Sequence, residues 1–377
     1  MAKRKRELTS EAVLGVVTEA RTRGSTTFRA EQREKAGLGL DPLVDPSGFG
    51  VIRRSLPRYI EEEGVWILPN GVPMLEVTIL DSTGSMGREN VDAALNVLKT
   101  GYDLLSTGPK AVLERYDTQI MTEIFGDVSD THILKRSQAE MDVEIANQIT
   151  LMKPECDGGD PTEDPQYGLF GDAYLTEAAI NRWGLKYYHF TVSDALARRY
   201  VDSDNLIRVF GPTVFEKLAE NGQQIDRQNL PAIDEIVHAL LEHSHAFFFQ
   251  FGDRANVRSF WGGIYGSNRV VQLPRVELLA HMKASIIGLT EGTLDLQSVE
   301  EFLRSAQLSG EDARIIQRAL VDIPFGAQKV LPNFSKIPLA GSRFAKKNDL
   351  WPIGGALSVV PGAAPAEPPK KKKKVWL

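Results

Sequence analysis

The stretch Met74-Leu75-Glu76-Val77-Thr78-Ile79-Leu80-Asp81-Ser82-Thr83-Gly84-Ser85-Met86-Gly87 decides how the chain is read. Met74 to Leu80 is a short apolar run, and a buried strand is the expectation. Asp81 ends it. Beyond the turn, Val91, Ala94, Leu95, Leu98, Tyr102 and Leu105 recur at three- and four-residue spacing, which is one face of an amphipathic helix. Asp81, Thr83 and Ser85 alternate in the turn, so a tight loop can aim one carboxylate and two hydroxyls at a single locus. Hard oxygens of this kind suit Mg²⁺, which takes an octahedral oxygen shell and keeps waters. The same string also serves as an ordinary turn and helix cap, because Asp, Ser and Thr are favoured caps. Its setting in the fold decides between the two.

Outward from this segment, strands and helices alternate. Ala111 to Tyr116 and Ile120 to Phe125 read as strands joined by a short turn. Gln138 to Met152 and Tyr167 to Trp183 read as helices, and Lys186 to Val192 as a strand. Leu230 to Ser244 reads as helix, Ala246 to Phe251 as a buried strand, Val270 to Leu273 as a last short strand, and Val276 to about Leu289 as helix. The pattern predicts an α/β fold, a doubly wound and mainly parallel sheet covered on both faces. In such sheets ligands bind beyond the carboxyl ends of the strands, where Asp81 lies. Residues 74–292 form this domain. Residues 1–73 form an N-terminal extension with a helical stretch from Ser10 to Arg21. Residues 293–324 form a helical C-terminal extension, with Ser298 and Glu301, then Ser309 and Asp312, at capping-box spacing. Residues 325–377 form an irregular to disordered tail that ends in a lysine run. The long connection 195–228, with a short helix from Val214 to Asn221, lies on the site side of the sheet.

With these elements in order, the chain resembles the von Willebrand factor A (integrin I-like) family, of the intracellular type with a metal-ion-dependent adhesion site. The resemblance spans residues 72–292. The family's first metal motif is Asp-x-Ser-x-Ser, which Asp81-Ser82-Thr83-Gly84-Ser85 matches with Thr in the first Ser position. The resemblance implies two further ligands. Thr162, in the loop Cys156-Asp157-Gly158-Gly159-Asp160-Pro161-Thr162-Glu163-Asp164, matches the family's threonine. Asp194, after the strand Tyr187 to Val192, matches its later aspartate. Asp160 and Pro161 intervene between the paired glycines and Thr162, so Asp160 is the alternative to Thr162. The implied cofactor is Mg²⁺ or Mn²⁺. The implied role is that of an adaptor subunit in an intracellular assembly. It would bind a protein partner that supplies an Asp or Glu to the metal; an AAA-type ATPase is one such partner by family analogy.

Other chemistries find less support. An aspartic protease needs Asp-Thr-Gly, and Ser82 separates Asp81 from Thr83. A phosphotransferase of the haloacid dehalogenase type needs a second Asp where Thr83 stands, and no stretch supplies a P-loop. His238 and His243 are five apart and do not share a helix face, and His245 opens the next strand, so structural or surface roles are expected. Phe247-Phe248-Phe249 reads as core, and Trp261 is assigned no chemistry. Cys156 is the only cysteine, which rules out an intrachain disulfide, and it reads as an incidental thiol near a loop. The chain is therefore expected not to be an enzyme; a metal-dependent hydrolase is the alternative, and it would need a base near Asp81.

Of the 377 residues, 42% are hydrophobic, enough for a substantial core, and the net charge is −6. Lys3 to Arg6 and Lys370 to Lys374 are basic clusters, so the body between them is more acidic than the total. A broad nucleic-acid groove on that body is not expected. A scaffold whose basic tails touch phosphate is a further alternative. No apolar run approaches the ~20 residues needed to cross a bilayer. Glu7, Thr9 and Ser10 stand where a signal peptide would be apolar. A cytoplasmic location is expected. Pro369 to Val375 resembles a nuclear localisation signal, which would act in a host with a nucleus; a solvated tail is the other reading. Deleting residues 368–377 should alter localisation or polyanion affinity and leave the melting temperature unchanged. A large fall in melting temperature would show instead that the tail is packed structure.

Overall fold

The structure is a computed structural model that describes residues 27–48, 51–107, 111–141, 143–156 and 162–346. The expected helix from Ser10 to Arg21, Asp160 and both basic tails lie outside the described residues. Eight strands concern the site: β1 Pro73–Asp81, β2 Asp117–Phe125, β3 Leu134–Arg136, β4 Thr162–Glu163, β5 Tyr187–Ser193, β6 Leu196–Ala197, β7 Ser244–Phe251 and β8 Val270–Leu273. Six of them form one sheet in the order β8-β7-β5-β1-β2-β3, and β4 pairs separately with β6. Every pairing in the large sheet is parallel except β2 with β3 at one edge. This is the doubly wound α/β sheet the alternating pattern predicts.

All nine residues of β1 and all nine of β2 are buried, as expected of central strands covered on both faces. Side chains alternate along β1, and each face has its own cover. Lys283, on the helix Leu279–Glu291, reaches Thr78 and Glu76 on one face. Gly168, on the helix Gln166–Tyr174, lies against Ile79 on the other. A Cβ at Gly168 would stand 3.1 Å from Ile79 Cδ1, so this helix presses its backbone onto the sheet. Phe247, Phe248 and Phe249 are core, and Trp261 stacks on Phe248 with ring centroids 4.4 Å apart.

Several elements differ from the sequence reading, each because a distant partner overrides a local pattern. Ala111 to Tyr116 is a turn that buries Val112, Leu113 and Tyr116, not a strand, and β2 begins at Asp117. The helix expected over Gln138 to Met152 is confined to Val143–Ile149, because Glu140 bridges back to Ile120. The helix expected over Tyr167 to Trp183 stops at Tyr174. Thr176–Ala178 then pairs with Arg53–Ser55 of the N-terminal extension, and a 3₁₀ turn follows. The connection 195–228 carries a second helix, Ser203–Phe210, capped by the Asp202 carboxylate. Ser309 caps the helix Gly310–Ala319 through the Asp312 amide, whereas Ser298 lies inside its helix and Asp295 accepts the Ser298 amide. The first part of the expected irregular tail is ordered. Ser342–Phe344 adds an antiparallel strand to Val65–Leu68, itself paired with Ile60–Glu62, and Ile337 is buried. Among the described residues no helix is long and apolar enough to cross a membrane.

Two predictions follow from buried polar groups. Lys283 Nζ lies 2.9 Å from Glu76 Oε1 and donates to Thr78 Oγ1 at 2.6 Å, while Thr78 donates to the same carboxylate at 2.7 Å. Lys283→Met leaves Glu76 buried without a cation and should cost ~3–5 kcal/mol. The double variant Lys283→Met/Glu76→Gln keeps an acceptor for Thr78 and should recover most of that loss in urea unfolding. Equal losses in the single and double variants would contradict the pairing. His245 is 4% exposed and meets Gln328 Oε1 through Nε2 at 2.9 Å. Burial pulls its pKa down to about 3, with the Gln328 contact partly offsetting this. The unfolded chain takes up a proton near pH 6.5 that the fold refuses, so stability is full above that pH and falls as pH drops toward 3. His245→Gln should flatten the fall by about 2 kcal/mol between pH 7 and pH 5. Parallel pH profiles of unfolding midpoint for the two proteins would refute it.

Candidate metal centre

The register of the parallel sheet builds the site. β1 and β5 are neighbours, and Leu80 stands beside Val192. Asp81 therefore leaves β1 beside Ser193, and Asp194 follows one residue on. The chain winds to opposite sides of β1, which opens a crevice between β1 and β5 at their carboxyl ends. Ser193 Oγ donates to Asp81 Oδ2 at 2.6 Å. The Thr83 amide and hydroxyl both donate to Asp81 Oδ1, at 2.9 and 2.6 Å. Ser85 Oγ donates to Asp194 Oδ1 at 2.7 Å and lies 3.3 Å from Thr83 Oγ1. Four of the residues singled out in the sequence, Asp81, Thr83, Ser85 and Asp194, thus form one hydrogen-bonded chain.

The loop is held from below and behind. The Ser82 amide and hydroxyl both donate to the Phe125 carbonyl at the end of β2, at 2.9 and 2.7 Å. Gly87, at φ 74°, turns the chain into the helix Arg88–Thr100 through a conformation that side chains disfavour. The Cys156 amide donates to the Ser82 carbonyl at 3.2 Å, so the second loop closes on the first. Trp261 Nε1 donates to the Ala195 carbonyl at 3.0 Å and fixes the backbone just after Asp194.

Thr162 opens β4, whose pairing with β6 sets Thr162 beside Leu196 and Glu163 beside Ala197. Glu163, which the sequence reading passed over, is 4% exposed, and its Oε2 has no hydrogen-bond partner among the described residues. Burial, then the charge of Asp81, raises its pKa to about 8, while a hydrogen bond with Thr83 opposes this. Burial likewise raises Asp81 to about 6, against its hydrogen bonds from Ser193 and Thr83; the nearby Asp194 adds to the rise. Asp164 points elsewhere. It accepts the Val128 amide at 2.8 Å and Gln166 Nε2 at 2.6 Å, and pairs with Arg198. Arg254 approaches from the rim with its side chain 51% exposed, 3.3 Å from Asp194 Oδ2 and 3.2 Å from the Asp194 carbonyl. Ser193 could have been found in the sequence as the residue flanking Asp194. Arg254 and Glu163 carry no local signal.

The donor set fits a divalent cation. Among the described residues no three His, Cys, Asp or Glu side chains form a cluster that would hold a metal by themselves. The donors are instead mixed, two aspartates and two hydroxyls, as a hard ion that keeps waters requires. In an octahedral Mg²⁺ shell adjacent oxygens lie about 3 Å apart. Thr83 Oγ1 to Ser85 Oγ, at 3.3 Å, and Ser85 Oγ to Asp194 Oδ1, at 2.7 Å, are close to that spacing. Asp81 and Glu163, both raised chiefly by burial, and the Glu163 Oε2 that lacks a partner among the described residues mark a locus short of positive charge. His238 and His243 stand on the surface helix Ile233–His243, and His245 belongs to the core.

No protein-family model matches the sequence. No curated protein matches it either. Among solved structures the chain is similar to proximal thread matrix protein 1 from the mussel byssus, at 11% identity and TM-score 0.37, covering 58% of this chain and 48% of that one. Another structure of that protein, with a zinc-occupied MIDAS motif, aligns at 13% identity and TM-score 0.36, covering 58% of this chain and 48% of that one. The von Willebrand factor domain of the type V pili tip protein Mfa5 from Porphyromonas gingivalis aligns at 10% identity and TM-score 0.35, covering 58% of this chain and 94% of that one. The chain thus spans about half the length of the mussel protein. These similar structures include von Willebrand factor A-type domains, the family to which the order of motifs pointed.

Proposed function

We propose that this chain is a divalent-cation-dependent protein-binding subunit. Mg²⁺ or Mn²⁺ is held through Asp81, Thr83, Ser85 and Asp194, with a further contribution from the second loop. The observation that carries this reading is the Ser85–Asp194 hydrogen bond of 2.7 Å, which joins the β1 loop to the end of β5 and gathers all four donors. These donors are fewer than the six that Mg²⁺ prefers, so coordination positions are left for water or for an oxygen from outside. A partner carboxylate suits such a position, because the cation reverses the sign of a locus that would otherwise repel it. The acidic balance of the chain makes that reversal necessary for an acidic partner.

We read the site as one for binding because its mixed aspartate and hydroxyl donors are those of a hard cation. A cleft of about 440 Å³ lies between Ala30 to Asp41, Thr131 to Lys135 and Leu151 to Glu155, and its walls include none of the four donors. The setting we favour is an intracellular assembly, with an AAA-type ATPase among the candidate partners. Asp81→Ala should abolish Mn²⁺ binding in titration calorimetry and leave the fold intact. Capture of the partner should drop at least tenfold in EDTA and return with Mg²⁺. Removing the partner's acidic residue together with Asp81 should cost little more than either change alone. Partner affinity indifferent to chelator, with additive effects of the two changes, would overturn the reading.

A further inference from the structure

Glu163 is a buried carboxylate beside the site whose Oε2 has no hydrogen-bond partner among the described residues. Such groups normally have a partner, because an unmatched buried acceptor costs free energy. Its neighbours here make the position more costly, since Asp81 is a second carboxylate, and Arg254 at the rim pairs with Asp194. Arg198, the other arginine close to this loop, pairs with Asp164 and Asp127. A missing donor on the metal side of Glu163 accounts for the arrangement.

Resting on the metal reading above, we infer that Glu163 accepts a hydrogen bond from a water bound to the cation, and that Glu163 is the group by which the second loop grips the metal. Three observations converge on this. Glu163 is 4% exposed and its Oε2 is unpartnered. Asp81 and Thr83, two members of the site, act on its carboxyl more strongly than Asp127 and Asp164 do. The pairing of β4 with β6 fixes the backbone, and successive side chains on a strand project to opposite faces. On this strand it is Glu163 whose carboxyl feels Asp81 and Thr83.

The role is outer-sphere. Among the described residues no third carboxylate joins Asp81 and Asp194 in a cluster that would hold a metal directly, which leaves the outer-sphere role to Glu163. Mg²⁺ releases its waters reluctantly, and a carboxylate placed to receive their protons stabilises the hydrated ion without displacing them. The anionic acceptor also orients those waters, which fixes the coordination position left for a partner. Glu163 is thus a positioning residue, and it should tune affinity without being indispensable to the fold.

The test is titration calorimetry with Mg²⁺ and Mn²⁺ on the full chain, as wild type, Asp81→Ala and Glu163→Gln, with melting temperatures in EDTA. Glu163→Gln keeps the shape and removes the charge. It should weaken metal binding ~10–100-fold, the range for groups that support a metal's ligands. Its melting temperature in EDTA should be unchanged or higher, because Gln fills the same space and can place no charge beside Asp81. Wild-type metal affinity in Glu163→Gln, with binding lost in Asp81→Ala, would overturn this inference and leave the metal site standing. A lower melting temperature in EDTA would assign Glu163 a structural role and also overturn it. Absence of binding by the wild type would refute the metal reading itself.

Discussion

Two parallel strands that end side by side, each releasing an aspartate, set the central constraint on this molecule. Once Leu80 is in register with Val192, Asp81 and Asp194 must share the same end of the sheet. Like charges in a buried crevice repel, and the structure answers with hydroxyls. Ser193, Thr83 and Ser85 each donate to one of the two carboxylates. A hydroxyl can donate a proton and still offer lone pairs. The residues that hold the aspartates in place without a metal are therefore also oxygen donors to one. The small side chains of the turn follow from the same need, since larger ones could not bring three oxygens so close.

The rest of the fold keeps that end of the sheet rigid. Arg136 on β3 is fully buried and binds Glu123 of β2 at 2.5 Å and Asp172 of the helix Gln166–Tyr174 at 2.8 Å. Asp172 in turn meets His189 of β5 at 2.9 Å. One guanidinium thus ties the antiparallel edge, its neighbour, the covering helix and the strand that carries Asp194. Burial would raise the Asp172 carboxyl, but Arg136 and His189 outweigh it and hold the group below its usual range. Glu123 goes the other way, raised by burial and by Asp172 despite Arg136. Buried charges of this kind contribute little net stability. What they supply here is a fixed relation between strands, which a site built from two strand ends requires.

What the sequence disclosed and what it hid divide along the range of the interactions. The strand-turn-helix at Asp81 is written in consecutive residues, and the strand leading to Asp194 is a dense apolar run, so both were readable. The turn at Ala111 to Tyr116 has strand composition but is buried by packing, and a short apolar run does not distinguish the two. Ser342–Phe344 takes its strand form from Val65–Leu68, far away in the chain, and no local pattern announces that. Glu163 was hidden for a related reason. Thr162 beside it satisfied the motif, and the burial of Glu163 comes from a two-residue pairing with Leu196–Ala197 that no local pattern announces. Arg254 lies 60 residues beyond Asp194 and reaches it by way of the strand β7 and the start of the following helix.

Arg254 sharpens the electrostatic logic. Among the described residues it is the arginine that pairs with a site aspartate, and half of its side chain is open to solvent. A guanidinium there satisfies Asp194 only in part, because Asp81 remains behind it with hydroxyls for company. Screening by water also weakens an exposed pair, typically to within about 1 kcal/mol. A compact divalent ion placed among the oxygens would act on both carboxylates at once and from inside the crevice, where the field is less screened. The arginine and the cation are therefore not equivalent. Arg254 keeps Asp194 oriented from outside, and the cation would neutralise the locus from within. On the proposed reading, an approaching carboxylate then meets positive charge on two sides, the ion and the exposed guanidinium. That geometry, more than the ion alone, gives a direction of approach as well as an attraction.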